Sequence, residues 1–209
     1  MLKKILIGLV AILVIALIAT KFMTKEFGYE DSVQIDATPE QVWQHTSSLR
    51  GMGEWSPWMA KDENIEQTWE GEDGAIGSKN CWTSEVETVG VGCQSITESE
   101  ANKHLGTSLK FEKPNDGLGN AYVDLEESDG GTKVTWGFTS EMPWPMNLMI
   151  PMMNMKEAMG ADWTNGLNKL KELSEASAKA DLETAAAAAQ AALEAEAAAL
   201  EESTTEEEE

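Results

Sequence analysis

"GTKVTWGFTSEMPWPMNLMIPMMNMKEAMGADWTNGLNKLKEL", residues 131–173, changes period in its middle. Over Lys133–Glu141 the residues alternate. Val134, Trp136 and Phe138 fall on one face and Thr135, Gly137 and Thr139 on the other, which reads as a half-buried strand. From about Leu148 the spacing becomes helical, with Met152, Met155, Met159, Trp163, Leu167 and Leu170 on one side. Pro151 should start or kink that helix. An apolar strand face followed at once by a long apolar helical stripe implies that the helix covers the sheet. Gly160 and Gly166 lie inside the helix, each costing about 1 kcal/mol relative to alanine. A helix that carries both is expected to leave room beneath it.

The upstream segment supplies the sheet. Phe27–Asp36 reads as a first strand through Val33 and Ile35. In "ATPEQVWQHTSSL", from Ala37, Thr38 is an N-cap, Pro39 suits the first helical position and Gln41 completes a capping box. That helix buries Val42, Trp43 and Leu49 and ends by Gly51 and Gly53. In "GMGEWSPWMAKD", residues 51–62, Pro57 disfavours a helical Ser56, so Trp55 and Trp58 are placed on a turn. There they either pin the connection to a core or touch a ligand. Candidate strands follow at Ile65–Glu70, Ser78–Glu85, Val91–Ser99, His104–Lys113, Ala121–Glu127 and Lys133–Glu141. The turn signals "GEDGAIG", "GVG", "ANKH", "PNDGLG" and "SDGG" separate them. Strands joined this tightly form an antiparallel meander, so the fold class is α+β.

The ends of the chain differ from its middle. "MLKK" precedes the uncharged run Ile5–Thr20, which Phe22 and Met23 extend past Lys21. This is the short edge of a spanning segment, and Leu17 and Ala19 make a poor signal-peptidase site before Thr20. The expectation is an uncleaved single-pass transmembrane anchor over residues 1–25, with residues 5–23 in the membrane and the domain on the extracytoplasmic side of the inner membrane. Beyond residue 176 the chain is mostly Ala and Glu, with Lys179 its only base, and it reads as a partly helical or disordered extension. The 209 residues carry a formal net charge of −22. No basic face is available for phosphates, which argues against a nucleic-acid partner. Cys81 and Cys93, in neighbouring strands, are a candidate disulfide in an oxidising compartment or a pair of buried thiols.

One helix, a strand meander and a long covering helix is the element order of the helix-grip fold. "DATPEQVW", "EWSPW", "GTKVTWGF", "MPWPMNLM" and the lysine-flanked N-terminus, in that order, resemble the SRPBCC superfamily. The likeness is to the membrane-anchored bacterial branch of its polyketide cyclase/dehydrase and lipid-transport proteins, related to START and birch-allergen-like domains. It covers residues 1 to about 175. The resemblance implies a curved antiparallel sheet gripping the C-terminal helix, with an apolar cavity between them for a lipid or other hydrophobic molecule. It implies a helix-grip domain over residues 26–175, with 176–209 outside it, and some relatives catalyse cyclisation or hydrolysis.

Trp82, Phe111, Trp136, Phe138 and Trp163 are the candidate cavity walls, and Trp55 and Trp58 the candidate closure of one end. Met146, Met149, Met152, Met155 and Met159 are candidates for an adaptable entrance, since methionine is flexible and polarisable. Plain core and copper(I) capture by thioethers are the competing readings. No metal box, phosphate loop or nucleophile triad appears, so no catalytic residue, metal or cofactor is assigned. His45, His104, Glu66, Glu70, Asp124 and Glu141 are the residues a buried acid–base step could use. The reading is therefore a binder, for transport or sequestration, of a hydrophobic small molecule or lipid. The alternative is a cyclase/dehydrase- or hydrolase-like enzyme. Oligomeric state is not legible.

Overall fold

A computed structural model describes the backbone of residues 2–206, and side chains over 3–195 except at 13, 14, 16 and 19. Its helices are α1 (Leu2–Ala19), α2 (Pro39–Thr46), α3 (Leu49–Trp55) and α4 (Met155–Glu206). Its strands are β1 (Glu26–Ile35), β2 (Glu66–Glu70), β3 (Lys79–Thr83), β4 (Val91–Glu100), β5 (His104–Lys113), β6 (Gly117–Ser128) and β7 (Gly131–Glu141). Short 3-10 helices span Thr20–Phe22, Met59–Lys61 and Met146–Met152. The strands form one antiparallel sheet in the order β1-β7-β6-β5-β4-β3-β2. The meander is closed by β1, which pairs with β7 from Glu26 opposite Glu141 to Ile35 opposite Thr132.

Local chemistry accounts for most boundaries. Thr38 and Gln41 form the capping box of α2, with Pro39 at its start. Asp129 and Gly130, both at positive φ, link Ser128 to Gly131 in a two-residue hairpin loop, the geometry that matches strand twist. Cys81 faces Cys93 across β3 and β4, and a disulfide joins them on the sheet's outer face. The segment expected as a single first helix is two. Ser48 caps α3 by accepting from the Gly51 N–H, and Asp73 accepts from Leu49 N–H at 3.1 Å. Gly51 and Gly53 thus lie inside α3, and Trp55 ends that helix instead of sitting on the turn with Trp58.

The long C-terminal helix packs on β1 and, less extensively, on β7, α2 and α3. At Gly166 the helix lies close against a β7 side chain: a Cβ there would lie 2.8 Å from the Trp136 ring. At Gly160 a Cβ would lie 3.2 Å from the Tyr29 hydroxyl. These glycines permit contact, so the expected room directly beneath them is not there. The helix continues past residue 176, where a partly helical extension is expected. Ser174 and Ala178 are buried, Ser177 Oγ is 2.9 Å from His45 Nε2, and Gln41 Nε2 donates to Asp181 at 3.0 Å. A boundary at 175 falls inside a continuous helix, because small residues carry the packing past it. Residues 207–209 of the expected tail lie outside the described residues.

The N-terminal expectation changes most. Among the described residues no helix is long and apolar enough to cross a membrane. The predicted transmembrane helix is therefore not found. The 18-residue α1 is ~27 Å long at the helical rise, with its first turn spent on Lys3 and Lys4, against a hydrocarbon core of ~30 Å. It stops because Thr20 Oγ1 donates back to Leu17 O at 2.7 Å and Asn147 Nδ2 donates to Thr20 O at 2.8 Å. Ile5, Leu6, Ile7, Leu9, Ile12, Ile15 and Ile18 on it are all exposed.

Two outcomes follow from this packing. Gly166→Ala should lower stability by about 1–3 kcal/mol through overpacking, despite alanine's better propensity. Gly53→Ala, where a Cβ meets nothing within 4 Å, should raise it by up to about 1 kcal/mol. Urea midpoints for both variants measure the contrast. Glu175 accepts from the Asp36 N–H at 3.0 Å and from Lys171 at 2.9 Å, and these two contacts hold its pKa below the ordinary 4.5. Its contribution is complete above that ordinary value and is lost as pH falls through the depressed one. Glu175→Gln should cost at most about 1 kcal/mol at neutral pH and flatten the stability curve below about pH 4.5.

Candidate functional site

The hollow follows from incomplete cover. Because α4 leans toward β1, the concave face of β3–β6 is roofed mainly by α3 and the Trp58 turn, and a cavity of about 590 Å³ remains. That is within the size range of small-molecule sites.

One wall is aromatic. Trp136 on β7 stacks on Trp163 of α4, with centroids 4.4 Å apart. Trp55 meets Trp136 edge-on at 4.9 Å, and Trp58 meets both, at 5.7 and 5.6 Å. The chain continues through Phe138, Phe111 and Trp82 at successive spacings of 6.5, 6.3 and 6.3 Å. Glycines let two of these rings lie over neighbouring strands: a Cβ at Gly92 would sit 2.7 Å from Trp82, and one at Gly119 would sit 2.5 Å from Phe138. Most indole N–H groups are already committed. Trp163 Nε1 donates to Trp136 O, Trp55 Nε1 to His45 O and Trp82 Nε1 to Val89 O. Trp136 Nε1 is buried without a partner among the described residues, and the three rings whose polar edges are tied to backbone offer apolar surface to the cavity.

The same concave sheet face carries carboxamides beside Trp82 and Phe111. Asn80 Nδ2 donates to Gln67 Oε1 at 3.2 Å and to Thr68 O at 3.3 Å. Gln94 Nε2 donates to Thr107 Oγ1 at 2.9 Å, whose hydroxyl donates to Ala121 O. Asn80 Oδ1, Gln94 Oε1 and Gln67 Nε2 make no hydrogen bond among the described residues, and all three residues line the cavity. The arrangement suits an apolar body with neutral hydrogen-bonding groups on one side. The ionisable lining residues are Glu87 and Lys113, both exposed at the rim.

Of the candidates read from the sequence, Trp55, Trp58, Trp82, Phe111, Trp136, Phe138, Met159 and Trp163 line this volume. Met146, Met149, Met152 and Met155 do not. Met146, Met149 and Met152 are exposed on the 3-10 helix, which Asn147 fastens to the end of α1 through Thr20 O and Thr24 O. The expected gate is thus displaced from the cavity to the foot of α1. His45 lies on the α2–α4 seam. His104 contacts Asp124 at 2.6 Å on the outer face of the sheet. Tyr122, also on that face, donates to Glu30, and this bond and partial burial push its pKa up to about 12. Glu66, Glu70 and Glu141 are exposed. Among the described residues no three His, Cys, Asp or Glu side chains are grouped to hold a metal.

The carboxamide wall escaped the sequence reading. Its signal was present: Asn80 shares strand phase with Trp82, and Gln94 shares it with buried Gly92 and Ile96. A polar residue in phase with an apolar face marks an inward polar group.

A curved seven-stranded antiparallel sheet gripping one long helix around a hollow defines the helix-grip class of the SRPBCC superfamily. The family described as polyketide cyclase / dehydrase and lipid transport matches residues 27–175, and the chain belongs to it. Curated proteins give no sequence match. Protein MLL2253 from Mesorhizobium loti is similar in structure, with a TM-score of 0.50 and 17% identity over 70% of this chain and 96% of its own. Mll3558 from Rhizobium loti has a TM-score of 0.51 and 11% identity, over 72% and 99%. The di-domain ARO/CYC StfQ of the steffimycin biosynthetic pathway has a TM-score of 0.53 and 7% identity, over 72% of this chain and 51% of its own. At these identities the likeness speaks to fold alone.

Proposed function

We propose that the protein binds a hydrophobic small molecule or lipid in the cavity and carries or shields it at a membrane. The observation that carries this reading is the mixed lining: indole and phenyl faces together with the amides of Gln67, Asn80 and Gln94. Such a site takes an amphiphile whose apolar body lies on the rings and whose hydroxyl or carbonyl groups meet the amides. The family match supports the substrate class. With Glu87 and Lys113 at the rim, no ionisable side chain among the described residues lies deep in the site, and the cyclase- or hydrolase-like alternative gains no support.

Membrane tethering through residues 5–23, as in the family's anchored branch, belongs to the same proposal. A helix apolar on all sides needs an apolar medium, and the exposed Ile and Leu side chains of α1 find none among the described residues. The Cys81–Cys93 disulfide favours a domain outside the cytoplasm.

The test is equilibrium titration of the full chain in detergent with Nile red, followed by displacement with fatty acids. Ala121 lines the cavity and is buried, so Ala121→Phe should weaken dye binding at least tenfold with unchanged circular dichroism. Leu109→Trp, at a second lining position, tests the same site should the first variant unfold. Undiminished binding in folded variants, or no binding by the parent chain, overturns the reading.

A further inference from the structure

The antiparallel register places the connections at one end of the sheet. Glu26 pairs with Glu141, Ser140 with Gly119, Phe111 with Gly117, Val91 with Lys113, and Thr83 with both Val91 and Glu66. The start of β1, the end of β7, the β5–β6 loop and the β3–β4 loop are therefore neighbours at that end. Those two loops and the end of β5 supply Glu87, Thr88, Lys113 and Asn115 at the cavity mouth. The start of β1 and the end of β7 carry α1 and the Met146–Met152 helix, and Met142 N–H donates to Lys25 O at 2.7 Å. The mouth and the apolar N-terminal helix thus share one end of the molecule.

Exposed apolar side chains are concentrated there too. Apart from Ile76, every exposed large hydrophobic between residues 22 and 175 lies at this end, among them Leu118, Trp144, Met146, Leu148, Met149 and Met152. The patch is fixed to α1: Trp144 Nε1 donates to Leu17 O at 3.1 Å, and Lys21 Nζ lies 5.7 Å from the Trp144 ring. A tryptophan beside a lysine at the end of an apolar helix is the arrangement found at a bilayer's headgroup level.

We infer that this end docks on a lipid bilayer through the Met146–Met152 helix and Trp144, so that the cavity mouth opens toward lipid and the ligand exchanges with the bilayer without crossing bulk water. This rests on the proposed lipid-binding function and extends it to the route of loading. The occupant of the patch is the bilayer, because the patch is continuous with α1 and shares its apolar character.

The full chain is reconstituted in phosphatidylcholine vesicles, and transfer of a fluorescent fatty acid from those vesicles to the cavity is followed by stopped flow. Met149→Asp combined with Met152→Asp should slow transfer at least tenfold. Neither residue lines the cavity, so the affinity of the same fatty acid in detergent should not change. Ile76→Asp, at the other end, should leave the transfer rate unaltered. Unchanged transfer in the double variant, with detergent affinity retained, overturns this inference and leaves the binding function standing. Loss of detergent affinity in the parent chain removes both. A parent chain that dimerises in detergent while the double variant stays monomeric would assign the patch to a second copy and likewise overturn the docking role.

Discussion

The stack of Trp136 on Trp163 is the contact on which the rest of the molecule depends. It fixes how closely and at what angle α4 lies on β7, and Gly166 is the residue that lets it form. With the helix held on the β1 and β7 side of the sheet, the curvature of the remaining strands cannot be filled from the same helix. Trp55 and Trp58 then pack edge-on against the stack and seal one flank. The cavity is what remains when one helix is committed to one half of a bent sheet.

That arrangement was legible to different depths. The strands and the capping box of α2 came directly from period and cap chemistry, since both depend on neighbours close in sequence. The division of α2 from α3 did not, because Ser48 and Asp73 outweigh two glycines only once the β2–β3 connection folds back to bring Asp73 near. Gly166 was misread for a related reason. Its propensity cost is visible locally, whereas the Trp136 ring that requires it lies thirty positions upstream. The methionines show the limit of a periodic stripe: Met152 and Met155 fit the helical pattern, yet Asn147 draws the preceding segment to the foot of α1. No spacing rule contains a hydrogen bond to a carbonyl more than a hundred residues away.

The site was legible in one half only. Large aromatics on an inward strand face are conspicuous in any sequence, and eight of the twelve residues singled out line the hollow. The amides beside them are easily passed over, because a lone Asn or Gln on a strand is usually solvent-facing and only its phase with Trp82 or Ile96 marks Asn80 and Gln94 as inward. It is the amides that narrow the chemistry of a guest, since aromatic faces accept almost any apolar surface.

Magnitudes decide whether such a hollow can stand dry. At ~24 cal/mol per Å³ of residual cavity, a dry volume of about 590 Å³ would cost ~14 kcal/mol, which matches or exceeds the whole net stability of an ordinary domain. The volume is therefore filled in solution. Water entering by the mouth satisfies Gln67, Asn80 and Gln94, but against the indole faces it meets few partners, because the N–H groups of Trp55, Trp82 and Trp163 are bonded to backbone. Displacing that water gains about 25 cal/mol for each Å² of apolar surface covered, while displacing water from the amides gains nothing unless the guest replaces its hydrogen bonds. The lining thus favours a guest that is apolar over most of its surface and polar where it meets Gln67, Asn80 and Gln94. That asymmetry is a property of the folded chain, set by which side of the sheet α4 covers.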